Sequence, residues 1–121
     1  SLKTPQGLHV IAEKVGEGLP PLTLIKQKVA TGEVVAPVRE PESTYDDFIT
    51  SRILHLRGRE PGVNAGPGID SYERGIFIHG THEEGLIGTP ASKGCIRMTN
   101  HDVIDLFRKV EVGTFVVILN N

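Results

Sequence analysis

A β-rich α+β domain with one dependable helix is the fold this chain predicts, and three observations carry the prediction. Short apolar, β-branched runs recur between turn residues, the mark of strands rather than helices. Fourteen glycines and eight prolines punctuate the 121 residues, as strands joined by many turns require. Only one stretch, near the C-terminus, sets apolar residues at helical spacing behind a capping group.

Leu8 to Val15 is the first expected strand, with a β-branched centre between Pro5 and Gly7 on one side and Gly16 and Gly18 on the other. Through Pro20, Pro21, Gly32, Pro37 and Pro41 the chain reads as loops, with a short strand at Leu22 to Lys28. Thr50 to Leu56 is the next strand, inside "YDDFITSRILHL". "RGREPGVNAGPGIDS" is turn-rich and is expected to be an exposed loop. "GIFIH", Gly75 to His79, is a short apolar strand that ends on a histidine.

The helix follows. Asn100, or Thr99 with Asp102 three residues later, can accept bonds from the free first-turn amides. Val103, Ile104, Phe107 and Val110 then recur on one face, Arg108 and Lys109 complement the negative end, and Gly113 stops the run. Thr114 to Leu119, "TFVVIL", is a continuous apolar strand expected to be buried on both faces.

Composition bounds the rest. Residues 1–121 make one domain, long enough to bury a core without disulfides or a structural metal. The 38% apolar and 23% charged fractions are ordinary for a globular chain. A formal charge of -2 leaves no basic footprint, which argues against nucleic acid as a partner. No apolar run approaches the roughly 18 to 20 residues that span a bilayer. No segment reads as a signal peptide, so location cannot be read from a targeting segment.

One cysteine cannot form an internal disulfide. Cys95 therefore fits a reducing compartment, or an oxidising one in which a thiol is kept for chemistry. The alternative is a small buried hydrophobe, but Ser92-Lys93-Gly94 is a poor match for a core strand. Gly94 permits close backbone approach, so the amides of Gly94 and Cys95 are candidates for an oxyanion site. Lys93 and Arg97 place positive charge beside the sulfur, and the helix start lies shortly downstream.

His79 is the candidate base: it ends an apolar strand and titrates near neutrality. The histidine precedes the cysteine by sixteen residues. That order excludes papain-like enzymes, with the cysteine first, and caspases, with a wider gap. Zinc is the rival chemistry, with His79, His82, Glu83, Glu84 and Cys95 as donors. Yet no second cysteine exists, and "HGTHEEG" has no helix to align the two histidines. His82, Glu83 and Glu84 are expected to be a solvated loop on the substrate-facing rim. His9, His55 and His101 are expected at the surface or at strand ends.

His79, Gly80, Ile87, Gly88, Pro90, Ser92, Gly94, Cys95, Ile96 and Arg97 together match a spaced signature. The chain resembles the L,D-transpeptidase (YkuD-type) catalytic domain, whose mark is His-Gly, a loop with Ile-Gly and Pro, then Ser-x-Gly-Cys-(Ile/Val)-Arg. "KTPQGLHVI" also resembles that family's turn before a strand, so the likeness covers nearly the whole chain. Two departures stand out. Lys93 occupies a position where many members carry histidine, and the chain is expected to begin inside the domain, without its first strands.

The resemblance implies a β-rich domain of mixed sheets or a sandwich with one main helix after the cysteine motif. It implies a cysteine nucleophile acting on peptidoglycan stem tetrapeptides outside the bacterial cytoplasmic membrane, in the periplasm or cell envelope. Cys95 attacks, His79 moves the proton, and the Gly80 carbonyl orients the imidazole. The Gly94 and Cys95 amides hold the oxyanion, Arg97 holds the loop or the acidic stem, Ser92 supports the loop or faces substrate, and Lys93 bears on thiolate stabilisation or substrate preference. No metal or organic cofactor is implied, and the acyl acceptor is a second stem peptide, a lipoprotein or water. With water the protein is an L,D-carboxypeptidase. A wall-binding scaffold that keeps the fold without the activity is the non-enzymatic alternative.

Overall fold

The computed structural model describes residues 3–44, 47–88 and 94–119. Seven strands are described: β1 (Gly7–Val15), β2 (Thr23–Lys26), β3 (Val29–Val34), β4 (Ile49–Gly58), β5 (Phe77–Gly80), β6 (Ile96–Met98) and β7 (Phe115–Ile118). They accompany one α-helix, α1 (Asn100–Lys109), and a 3-10 turn at Glu84–Leu86. The β-rich α+β class is thus borne out, with the helix directly after the cysteine segment.

The strands form a single mixed sheet in the order β3-β2-β4-β1-β7, with β5 on β4 and β6 on β5. All pairings are antiparallel except β5 with β6. Strand β4 is the hub. Its Ile49 and Thr50 pair with β2, and from Ile53 onward it pairs with β1. Between the two partners Ser51 takes φ 70, a left-handed backbone that a non-glycine residue rarely adopts. The Ser51 hydroxyl offsets that strain: it donates to Asn100 Oδ1 at 2.6 Å and accepts from the Leu22 amide at 2.9 Å.

Helix α1 covers one face of the sheet. Val103 and Phe107 meet Ile11, Leu54, Leu56, Ile76 and Ile78 in the core. Burying such side chains contributes about 1.5–3 kcal/mol each. Thr99 caps the helix, its hydroxyl accepting from the Asp102 amide at 3.2 Å, so Asn100 becomes the first helical residue. Its side chain turns inward, into a polar network that the cap pattern does not reveal.

Several expectations are corrected. Strand β3 lies where the sequence predicts a loop: every residue of "VATGEV" is exposed, so no burial alternation marks it. It is brought back onto β2 by a two-residue turn, Gln27 and Lys28, with φ 51 and 64. That primed geometry usually calls for Asn-Gly, which is absent here. Strand β7 is not buried on both faces, since it lies at the sheet edge and leaves Phe115 and Val117 65% and 59% exposed. Only Val116 and Ile118 pack against the core.

His9 and His55 are interior rather than superficial. His9 donates from Nδ1 to the Gly7 carbonyl at 3.0 Å and meets the Ser71 hydroxyl through Nε2 at 2.9 Å. His55 stacks on Tyr72 with ring centroids 4.1 Å apart. The turn-rich segment is likewise not simply exposed. Asn64 is fully buried and staples it to the sheet, donating to the Gln6 and Leu8 carbonyls and accepting from the Glu60 amide.

Candidate active site

The parallel pairing of β5 with β6 sets His79 opposite Arg97 and Ile78 opposite Ile96. Side chains alternate along a strand. Ile78 and Ile96 therefore point to the helix face, while Phe77, His79 and Arg97 share the other face. Cys95 immediately precedes β6 and joins them. His79, Cys95 and Arg97 line one cavity of about 270 Å³, together with Asp47, Arg74 and Phe77.

Cys95 is half-buried. The start of β5 holds its sulfur: the Phe77 amide donates to Sγ at 3.4 Å, and the thiol donates to the Gly75 carbonyl at 3.4 Å. The two bonds oppose one another: a donor aimed at sulfur favours the thiolate, and a carbonyl that accepts from the thiol favours the protonated form. Sequence reasoning missed this contact, because it depends on strand register and on backbone rather than on residue type.

His79 is buried, and its Nδ1 lies 2.6 Å from the Gly80 carbonyl. A carbonyl only accepts, so Nδ1 carries the proton and the neutral ring keeps its lone pair on Nε2. Burial pushes the His79 pKa below its ordinary value; the Gly80 bond and the Asp47 carboxylate oppose this, and Arg97 adds to it. The ring is therefore neutral at neutral pH, the form that accepts a proton.

Glycines on either side have separate reasons. A Cβ on Gly80 would stand 2.5 Å from the Thr50 carbonyl oxygen and 2.8 Å from Asn100 Oδ1, so no side chain fits. Gly94 has φ 86, and a Cβ there would lie 2.9 Å from the Lys3 carbonyl oxygen and 3.2 Å from Arg74 Nη2. The chain thus enters the nucleophile through a left-handed turn that favours glycine. Ser92 and Lys93, like Pro90 of the signature, lie outside the described residues.

The loop after β5 is not solvated as expected. His82 and Glu83 are 4% and 5% exposed. Arg97 donates from Nη1 to Glu83 Oε1 at 3.1 Å, and Thr44 donates to the other oxygen from its amide at 2.6 Å. Burial alone raises the Glu83 pKa, but the Thr44 and Arg97 bonds together hold it below the ordinary carboxylate value. His82 sits against Phe48, ring centroids 4.7 Å apart, with Nε2 2.8 Å from the Thr44 hydroxyl. Its buried Nδ1 has no hydrogen-bond partner among the described residues.

Beneath this loop Asn100 joins four elements. Its Oδ1 accepts from the Thr50 and Ser51 hydroxyls, each at 2.6 Å. Its Nδ2 donates to the Thr81 carbonyl and to Glu84 Oε2, each at 2.9 Å. The helix start, the β4 bend and the end of β5 are locked together, which fixes where His79 stands. Asp47 and Arg74 were not singled out by sequence. No spacing rule points to them, and Arg74 is brought in by its bond to the Lys3 carbonyl at 2.8 Å.

Comparison with known proteins bears on both segments. YqjB of Bacillus subtilis (strain 168), named as a candidate L,D-transpeptidase, is 48% identical over 44 residues, 36% of this chain and 25% of the relative. YkuD of the same organism, similarly named, is 56% identical over 41 residues, 34% of this chain and 25% of the relative. The matched stretches thus span about a quarter of those relatives' length. No solved structure matches. The sequence profile of the YkuD L,D-transpeptidase catalytic domain, however, matches residues 1–118. A match that runs through β5, the cysteine segment, α1 and nearly everything before and after them places the chain in the YkuD family of L,D-transpeptidase catalytic domains.

Proposed function

We propose that this protein is a cysteine-dependent L,D-transpeptidase acting on peptidoglycan stem tetrapeptides. The observation that carries the reading is that His79 and Cys95 share one face of the sheet and one cavity wall. The Cys95 sulfur attacks the carbonyl of the third, diamino acid residue of the stem. A C–S bond forms, the C–N bond to the terminal D-alanine breaks, and the thiol proton passes through His79 to the departing amine. The thioester is then resolved by an amine on a second stem or a lipoprotein, or by water.

In this scheme the Gly80 carbonyl keeps the lone pair of His79 on Nε2 and turns it to the cavity. The amides of Gly94 and Cys95 take the oxyanion. Arg97, tied to Glu83, holds the loop after β5, and the family signature alone assigns Ser92 and Lys93 to substrate binding. The scheme calls for no metal or organic cofactor. The substrate sets the place of action in the periplasm or cell envelope. No described helix is long and apolar enough to cross a membrane.

Two measurements test the proposal. Incubation with a carbapenem adds one drug mass to the intact protein, and Cys95→Ala abolishes the adduct. Digests of muropeptides, read by mass spectrometry, then separate transfer from hydrolysis: cross-linked dimers support the transpeptidase, and tripeptides alone leave an L,D-carboxypeptidase. A folded sample that gives neither adduct nor product refutes the enzyme and leaves a wall-binding scaffold.

A further inference from the structure

One cluster of titratable side chains stands outside the catalytic cavity and takes no part in moving protons there. Strand register sets Glu13 beside His55 and His55 beside Phe77. Residues opposite one another share a face, so the three form a row across β1, β4 and β5 on the side that carries His79. Lys28 reaches this row from the β2–β3 turn, and Tyr72 from the segment before β5.

The bonds fix the state of the His55 ring. The Tyr72 carbonyl lies 2.9 Å from Nε2 and only accepts, so Nε2 carries the proton and Nδ1 is the acceptor. Lys28 donates to Nδ1 at 3.0 Å and to Glu13 Oε2 at 2.6 Å, and the Tyr72 hydroxyl donates to Glu13 Oε1. The other tautomer leaves a lone pair facing the Tyr72 carbonyl, and the Lys28 ammonium disfavours it. Packing holds the ring as well. It stacks on Tyr72 and meets Phe77 edge-on, with centroids 4.1 and 4.7 Å away. His55 is buried, so water does not compete for these bonds.

We infer that His55 is a positioning residue for the nucleophile, acting through residues 72–77, with Lys28 as the group that fixes its tautomer. The Tyr72 carbonyl that accepts from His55 also accepts from the Gly75 amide at 3.1 Å. Two backbone groups of the same segment then hold the sulfur. The Gly75 carbonyl accepts from the Cys95 thiol and the Phe77 amide donates to it, each at 3.4 Å. His55 thus grips this segment at both ends, by a hydrogen bond at Tyr72 and a ring contact at Phe77. The inference rests on the transpeptidase reading and adds which residue outside the cavity sets where the sulfur stands.

Two substitutions separate a positioning donor from a ring that only fills space. His55→Phe keeps a ring between Tyr72 and Phe77 but donates nothing. His55→Gln loses the stack and keeps an N–H that can reach the Tyr72 carbonyl. Carbapenem acylation of Cys95, followed by intact mass on folded protein, should slow about tenfold in His55→Phe, the size of one lost hydrogen bond. His55→Gln should recover part of that rate, whereas a space-filling ring predicts the reverse order. Amide hydrogen exchange at Gly75 should quicken about tenfold in His55→Phe. Lys28→Met, at a part-exposed site, is expected to fold and to slow acylation about threefold by releasing the tautomer.

Acylation of His55→Phe within about twofold of the parent, or a slower His55→Gln than His55→Phe, overturns the inference. Should His55→Phe not fold, Lys28→Met decides in its place, and a rate equal to the parent's overturns it. If the parent takes no carbapenem, the transpeptidase reading fails instead. Gly75 exchange then decides alone whether His55 holds the segment, and an unchanged rate says that it does not.

Discussion

Replacing Asn100 with alanine should cost far more than a surface substitution, because its side chain satisfies three buried groups and the part-buried Glu84 carboxylate. Its amide nitrogen serves the Thr81 carbonyl and Glu84 Oε2, and its oxygen serves the Thr50 and Ser51 hydroxyls. Thr50, Ser51 and Thr81 are all fully buried. A buried polar group left without its partner costs about 1–3 kcal/mol. The two hydroxyls can rotate to other acceptors, and Glu84 Oε2 keeps the Asn100 backbone amide at 2.9 Å. The Thr81 carbonyl has no such freedom. The sum is about 3 kcal/mol, a large share of the roughly 5–15 kcal/mol by which domains are stable. With a urea slope of about 2 kcal/mol per molar, the midpoint should fall by about 1.5 M at an unchanged slope. Carbapenem acylation should slow as well, since the end of β5 rests on the same network. A midpoint shift under about 0.3 M with the slope unchanged would show that these groups are not buried together, and the account of how His79 is held would fail.

Gly80→Ala drives a methyl against the Thr50 carbonyl and Asn100 Oδ1. The expected loss is about 1–3 kcal/mol of stability with slower acylation, and thermal unfolding that matches the parent would contradict the close approach. Arg97→Met takes the ion-pair partner from the buried Glu83 carboxylate, which keeps its bonds from Thr44, at a cost of about 1–3 kcal/mol. Adding Glu83→Gln should recover part of it, whereas simple additivity in this double-mutant cycle would show the pair uncoupled. Acid should destabilise the fold before its carboxylates titrate. His9, His55 and His79 are all buried with pKa values lowered from 6.5, chiefly by burial. Below 6.5 the unfolded chain therefore binds protons that the folded chain refuses. Stability is fully present above that value and is lost as pH falls toward the lowered folded values. The slope is up to about 1.4 kcal/mol per pH unit for each histidine. Urea midpoints at pH 7.5, 6.5 and 5.5 check this, and a flat profile would mean the rings are solvated.

What one dimension could show was set by local chemistry. The helix after the cysteine was legible because capping and 3.6-residue spacing are properties of a short stretch, and α1 runs where they place it. His79 and Cys95 were legible because a lone thiol after glycine and a histidine ending an apolar strand are unusual in themselves. Strand β3 was not, since an exposed edge strand has no burial pattern to print on its sequence. The failure at β7 had the opposite cause: an apolar run looks buried, but burial depends on what lies across from it, and an edge strand has one neighbour.

Residue type and spacing by themselves determined the β-rich class, the helix, and the histidine and cysteine that resemble a thioester-forming pair. Only the tertiary structure decided which strand lies beside which. That register brings His79 and Cys95 to one cavity, commits Arg97 to Glu83, and buries His9 and His55. The reason is physical. Propensity and capping act over a few neighbouring residues, whereas charge pairing, desolvation and a shared wall depend on distances between residues far apart in the chain.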